Sequence, residues 1–496
     1  MNNKRPSVKL NFIYNSIYQL AAILIPIITT PYLSRIIGAE GIGIYGFGFS
    51  IANYFAMFIK LGLNNYGARE IAYIRDDRKA MSETFWEMYF FQFFSGIFIS
   101  AIYFVYGFVF ANNHTIALIF SLYVISAMLD ITWFFWGLEE FRLTVRRDFI
   151  VKILTTAGIF LLVKTADDTW KYCLLISGGF LLSQTLLWPS MKGVISWRKP
   201  TINGIKRHIK PNFILFVPII AISLYKTMDK IMLGAMSTSV EVGYYHNSEN
   251  IIQVPTMLIF SLGTVMQPIM SNMVSNDTSE SVMESVFTKS IILAMFLSSS
   301  IGFGIMSVAN EFVPLFYGPG FEKCIQLYKI LLPSCLFLAF ANVIRTQYLI
   351  PRKKDREYII SLFSGAGVNL VLNAILIPQF QSVGASLGTL AAEATVCIVQ
   401  ATLMKKEKCV KKYIVQSLPY IISGLSMFLL WGHISITIGG PLVSLLIKVI
   451  LAGSFYLVVL FILLFVWSKT VGVEIKPSDI LSMVRNGRNQ KVNVEE

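Results

Sequence analysis

Apolar runs of 18 residues or more recur along this chain from Leu10 to Val466. A helix of ~20 apolar residues crosses a hydrocarbon core ~30 Å thick. The repetition of such runs therefore decides the class before any motif is considered. Only 14% of the 496 residues are charged and 55% are hydrophobic, whereas a soluble domain carries about 25% charge. The expected fold is an all-α polytopic membrane protein with about fourteen transmembrane helices. Candidate spans are 10–35, 43–63, 85–110, 115–137, 149–164, 172–191, 212–235, 249–271, 290–309, 327–349, 358–378, 383–403, 413–431 and 443–468. No connection between them exceeds about twenty residues, so no separate soluble domain fits. Secreted, DNA-binding and fibrous classes are excluded, and the chemistry must sit between helices.

The net charge of +14 could point to a polyanion, so its placement matters. With the N-terminus inside, cytoplasmic segments hold 31 of the 42 Lys and Arg residues, and external segments hold 4. That asymmetry over short loops follows the positive-inside rule. It places both termini in the cytoplasm and accounts for the basic balance without nucleic acid. The stretch from Leu10 to Ile37 is too long for a signal-peptide core and lacks a small-residue cleavage site, so it reads as the first span. The five cysteines form no CxxC pair and have no histidine at metal spacing, so no metal site and no catalytic thiol is expected. Gly41-Ile42-Gly43-Ile44-Tyr45-Gly46 fits the dinucleotide fingerprint, but that motif needs a preceding strand. Here it opens a membrane span, and a tight external turn followed by close helix packing is expected. No Walker A, HExxH or GxSxG sequence supports an ATPase or a hydrolase.

Internal similarity points to a repeat. Ser34-Arg35-Ile36-Ile37-Gly38-Ala39, then Gly43-Ile44-Tyr45, follows the first span. Lys230-Ile231-Met232-Leu233-Gly234-Ala235, then Gly243-Tyr244-Tyr245, follows the seventh. Spans one and seven run in the same direction, so a six-helix repeat is parallel, a transporter architecture with its site at the repeat interface.

Seven cations fall within or near the ends of spans, where a charge costs about 2.5–3.5 kcal/mol at mid-bilayer. Lys60, Lys152, Arg345 and Lys448 lie near span ends and can snorkel to an interface. Lys226, Asp229 and Lys230 lie deeper, ~21–27 Å along span seven at 1.5 Å per residue. With Ser223 they share one helical arc of ~120°. A self-neutralising cluster accounts for one lysine but not for both; a wet cavity receiving an anion accounts for both. Polar stripes recur on span eight (Asn250, Gln253, Thr264, Gln267, Ser271), span two (Ser50, Asn53, Lys60, Asn64) and span one (Asn11, Asn15, Gln19). Any one stripe serves plain helix–helix hydrogen bonding, whereas four together favour a lined cleft. Glu393, near the middle of span twelve, serves equally as a cation ligand, a titrating group or a hydrogen-bonded structural acid.

Pro31-Tyr32-Leu33-Ser34-Arg35-Ile36-Ile37-Gly38-Ala39-Glu40-Gly41 resembles the opening of Wzx-type polysaccharide repeat-unit flippases. So does Leu61-Gly62-Leu63 through Ala68-Arg69-Glu70-Ile71. Leu129-Asp130-Ile131-Thr132-Trp133-Phe134-Phe135-Trp136-Gly137-Leu138-Glu139-Glu140-Phe141 is similar to the family's fourth-helix signature, and Met228-Asp229-Lys230-Ile231-Met232-Leu233-Gly234 to its seventh-helix segment. The resemblance implies the multidrug/oligosaccharidyl-lipid/polysaccharide exporter fold, with two six-helix lobes around a central cleft and two further helices. On this chain the lobes are expected at 1–191 and 212–404, with a basic cytoplasmic linker at 192–211. Two more helices lie in 413–468, and a cytoplasmic tail occupies 469–496.

The resemblance further implies a transporter, not an enzyme, of a bacterial cytoplasmic membrane, with no catalytic residue. It would flip undecaprenyl-diphosphate-linked oligosaccharides outward by alternating access. Expected substrate-binding residues are Arg35, Lys60, Lys226, Lys230, Asn53, Asn250 and Gln253. Asp229 and Glu393 are candidates for coupling to Na+ or H+, with no other cofactor. Tyr45, Tyr54, Tyr225 and Tyr245 are candidates for stacking on sugars. Membrane lipids, a polysaccharide polymerase and glycosyltransferases are the candidate partners. Two alternatives stand beside this reading: a cation-coupled multidrug exporter, whose cleft should be net acidic, and a non-transporting scaffold for glycan assembly.

Overall fold

The computed structural model describes residues 25–405 and 409–470. Among these residues the chain is helical, apart from one isolated bridge between Lys192 and Ile195. Among the described residues twelve helical stretches are long and apolar enough to cross a membrane, and each coincides with one of the fourteen predicted spans. A further helix, Phe141–Leu162, occupies the position expected of span five. Most of span one, with Asn11, Asn15 and Gln19, lies outside the described residues; a helix over 25–36 (α1) covers its C-terminal end.

Two compact units are present. The first comprises residues up to Asn247, Tyr317–Phe321 and Asn369–Gly388. Its helices include α2 (Gly38–Lys60), α3 (Leu63–Ile74), α4 (Arg78–Val105), α5 (His114–Met128), α6 (Thr132–Gly137), α7 (Phe141–Leu162) and α8 (Thr169–Thr185). One core joins Ile51, Ala52, Ala56 and Ile59 of α2 to Phe120, Val124 and Ala127 of α5. A second gathers Trp133, Phe134 and Phe135 of α6 around Phe85 and Met88 of α4.

The turn expected at Gly41–Gly46 is displaced. It falls at Gly38, whose φ of +65° suits glycine, and Gly41–Gly46 lie inside α2. The close packing expected of them is present. A Cβ on Gly43 would overlap the backbone carbonyl of Ser239, and one on Gly243 would overlap that of Ala39. Gly43 and Gly243 are 200 positions apart, as are Ala39 and Ser239. The contact therefore reads the same from either side, as an isologous contact does. The two copies of the repeat motif meet about a local pseudo-two-fold.

The fourth-span signature is not one continuous helix. α5 stops at Met128 and α6 begins at Thr132, leaving carbonyls that lipid cannot satisfy. Gln92 of α4 donates to Ala127 O at 2.6 Å and Asp130 O at 2.9 Å, while Trp188 donates to Leu129 O at 3.0 Å. Trp133 Nε1 in turn donates to Gln92 Oε1 at 3.1 Å. The Asp130 carboxylate accepts from the N–H of Thr132, the first residue of α6, at 2.9 Å and so satisfies one of the free N–H groups at that helix start. These side chains hold the break in place.

The second unit comprises Ser248–Phe316, Glu322–Val368 and residues from Thr389 onward. It includes α12 (Glu280–Tyr317), whose Ser299 hydroxyl donates to Tyr420 O at 2.5 Å in α17 (Val410–Trp431). Lys448, on α18 (Pro441–Thr470), does not snorkel. It is 0% exposed and its Nζ lies 2.7 and 2.8 Å from the two carboxylate oxygens of Glu311 on α12. Removing one partner of such a pair costs about 3–5 kcal/mol, whereas apolar replacement of both is often neutral. Glu311→Gln is therefore expected to lower the thermal unfolding midpoint in detergent clearly, and Lys448→Met with Glu311→Met to recover most of it. Equal midpoints for wild type and Glu311→Gln would contradict this.

Candidate functional site

Span seven is interrupted at its charged segment. α9 (Ile202–Lys226) ends immediately before Thr227, whose φ of −114° and ψ of −29° still allow its N–H to donate to Ser223 O at 2.9 Å, and α10 (Met228–Met236) follows. The residues expected on one arc differ in exposure. Lys226 is exposed at the end of α9, Lys230 is half-buried, and Asp229 is 1% exposed in the first turn of α10. A carboxylate there meets the positive end of the helix dipole.

Asp229 is held by two neutral donors within the first unit. Tyr245 Oη, on α11 (Ser239–Ser275), donates to one oxygen at 2.6 Å, and Asn373 Nδ2, on α15 (Asp355–Phe380), to the other at 2.6 Å. Asn373 also donates to Asn369 Oδ1 at 3.2 Å, one turn earlier. A Cβ on Gly388 would overlap Asn373 Oδ1, so this glycine gives the amide its room. Asn373 Oδ1 and Asn369 Nδ2 are buried without a hydrogen-bond partner. Neither asparagine was among the expected site residues, although an i, i+4 amide pair inside an apolar span was a readable signal.

Other expected residues of this unit are spread over α1 and α2. Arg35 is exposed and its Nη1 donates to Pro31 O at 2.8 Å. Asn53 accepts from Tyr123 Oη at 3.0 Å. Lys60 does not snorkel either: its ammonium is paired with Asp130 at the break before α6. Of the expected stacking tyrosines, Tyr45 packs against Phe49, Phe120, Tyr172 and His246. Tyr54 donates to Ser223 O at 2.8 Å. Tyr245 is 2% exposed, which leaves no ring face for a sugar. The side chain of Tyr225 lies outside the described residues.

The remaining expected residues belong to the second unit. On α11, Asn250 is half-buried and Gln253 exposed. Glu393, on α16 (Ser382–Met404), is buried near the thiols of Cys335 and Cys397. Among the described residues no cluster of three or more His, Cys, Asp or Glu is placed to hold a metal ion. The most built arrangement within the first unit is the Asp229 cradle at the interrupted helix.

The profile of a family described as "Polysaccharide biosynthesis protein" matches residues 8–274. A "Putative O-antigen transporter" of Escherichia coli is 23% identical over 428 residues, covering 82% of this chain and 99% of that protein. A "Probable low-salt glycan biosynthesis flippase" of Haloferax volcanii is 25% identical over 268 residues, covering 52% of this chain and 54% of that protein. Among solved structures, the lipid II flippase MurJ in an inward closed conformation superposes with a TM-score of 0.72 at 13% identity, over 93% of this chain and 100% of that one. An inward-facing multidrug resistance MATE family transporter of the MOP superfamily gives 0.53 at 11% identity, over 79% and 99%. At these identities the structural likenesses concern the fold.

Proposed function

Since the chain belongs to the polysaccharide biosynthesis protein family, we propose that it flips undecaprenyl-diphosphate-linked oligosaccharides across the bacterial cytoplasmic membrane, from the inner to the outer leaflet. The observation that carries this reading is the interruption of span seven at Thr227. Discontinuous helices are the usual material of transporter substrate sites, because their free ends and flanking charges face the cargo. Here the break places two lysines on either side of a buried, dipole-stabilised carboxylate.

The diphosphate is the anionic part of the cargo, and fixed cations away from bulk water attract it more strongly than solvated ones. Lys226 and Lys230 would hold it together with Arg35, while Lys60, Asn53, Asn250 and Gln253 would line the sugar path. The polyprenyl tail would stay in lipid. Alternating access would carry the head group outward, favoured by an inside-negative potential worth ~2.3 kcal/mol per charge per 100 mV. Asp229 and Glu393 would bind the Na+ or H+ that resets the cycle. A polysaccharide polymerase and glycosyltransferases would consume and supply the lipid-linked unit, and both termini would lie in the cytoplasm.

Complementation of a bacterium lacking its own repeat-unit flippase tests this. Wild type should restore surface polysaccharide. Lys226→Ala and Lys230→Ala should each lower it by ~10-fold, about 1.4 kcal/mol of lost interaction, at matched membrane abundance. Full activity of both variants would return the lysines to a structural role. A multidrug exporter would instead raise drug resistance and leave the polysaccharide unrestored, and a scaffold would tolerate every one of these substitutions.

A further inference from the structure

Arg345 differs from three cations of other helices. Lys60 is paired with Asp130, Arg147 with Asp148, and Lys448 with Glu311. Among the described residues, no carboxylate is in ion-pair contact with Arg345. It lies in the span Lys323–Leu349, four residues from the end that the positive-inside count assigns to the cytoplasm.

The guanidinium is nevertheless held in a fixed place. Nη2 donates to Asn342 Oδ1 at 2.6 Å, and Nη1 to Tyr358 Oη at 3.4 Å. The rings of Phe260 and Tyr358 lie 5.5 and 5.8 Å from Cζ, within cation–π range. Asn342 is 2% exposed and is itself anchored, because its Nδ2 donates to Ile259 O at 3.0 Å. A Cβ on Gly263 would come within 2.7 Å of that Nδ2, so α11 approaches the amide through a glycine. Arg345 also opens a π-helical turn, Arg345–Leu349, a local irregularity that often marks functional positions.

A structural role alone explains the cage poorly. A guanidinium has five N–H donors in a planar fork. Neutral partners take one from each Nη, and the buried Nε has no partner. Charge in a membrane span is normally paired or solvated, as the three lysine and arginine pairs above illustrate. The N–H groups left over form a fork that suits an oxyanion able to accept two parallel N–H bonds.

We propose that Arg345, set by Asn342 and flanked by Tyr358 and Phe260, is a binding site for a lipid-borne phosphate group. The site rests on the transport reading only for the identity of the lipid. If that reading holds, the diphosphate of the cargo docks here at the cytoplasmic end of the second unit. The alternative source of the same chemistry is an anionic phospholipid headgroup.

Retention of lipid by the purified full-length chain in phosphatidylcholine nanodiscs, read by native mass spectrometry, tests the proposal. The probes are undecaprenyl diphosphate and phosphatidylglycerol, offered separately. Wild type should retain undecaprenyl diphosphate, and Arg345→Gln about tenfold less of it. Arg345→Lys keeps the charge without the fork and should fall between them. Tyr358→Glu supplies an internal counter-charge and should behave like Arg345→Gln, which keeps the test valid if that variant folds poorly. Arg345-dependent retention of phosphatidylglycerol alone would support a headgroup site and detach it from the cargo. Retention unchanged by all three substitutions, or none of either lipid by wild type, would overturn the proposal. Transport can fail in complementation while Arg345-dependent binding persists, so the two readings fail separately.

Discussion

Gly43→Val or Gly243→Val should eliminate nearly all folded protein from the membrane. A side chain at either position meets a backbone carbonyl, that of Ser239 or Ala39, and not the movable end of a side chain. Small residues let membrane helices approach closely, and overpacking costs typically 1–3 kcal/mol where neighbours can yield. A backbone carbonyl already committed to its helix yields little, so the cost should reach about 3 kcal/mol or more, a large part of the stability of an ordinary domain. The local symmetry sharpens the expectation. The two single variants should be similarly damaging, and the double variant should not rescue, because each new Cβ has its own backbone partner. Gly178→Val is the control, since a Cβ there meets nothing within 4 Å. Fluorescence-detected size-exclusion chromatography of tagged variants at equal expression measures the outcome. A monodisperse peak of wild-type height for Gly43→Val would refute the crossing.

That crossing also shows what the sequence could and could not disclose. The repeated Gly-x-Tyr after spans one and seven was visible, and so was close packing at the first of those glycines. That the two copies touch each other was not, because spacing along a chain carries no information on which helix faces which. The spans were legible for a plain physical reason: apolar length maps directly onto bilayer thickness. The breaks inside them were not. Neither Thr227 nor the Leu129–Ile131 segment carries a proline or glycine, the usual sequence marks of interruption. Both interruptions have distant partners beside them, Tyr245 and Asn373 around Asp229 two residues past one break, Gln92 and Trp188 around the other. Buried charge was legible as cost but not as pairing. Lys60, Lys448 and Arg345 all sat near span ends, where snorkelling was the simplest expectation. Two of them instead have carboxylate partners, at sequence separations of 70 and 137 residues.

Asp130→Asn should have the second large effect, and its pattern decides what Lys60 does. The substitution keeps shape but removes the charge that faces the Lys60 ammonium, which is only partly exposed. It also weakens the acceptor of the Thr132 N–H at the start of α6. Breaking a buried pair from one side costs about 3–5 kcal/mol, mostly from the charge left behind. Lys60→Met should cost a similar amount, because it strands Asp130 at 5% side-chain exposure. Lys60→Met with Asp130→Asn leaves neither charge and should regain most of the loss, apart from the weakened bond to the Thr132 N–H. Thermal unfolding of the four proteins in detergent gives the coupling between the two sites, which for residues in contact runs to 0.5–3 kcal/mol in general. Transport in the same four strains separates two roles. If Lys60 only holds the break in span four, the double variant recovers polysaccharide export along with stability. If Lys60 also contacts the cargo diphosphate, the double variant regains stability and remains defective in export. A ligand role for Lys60 requires the second outcome, because an ammonium that serves only its aspartate becomes dispensable once the aspartate is neutral.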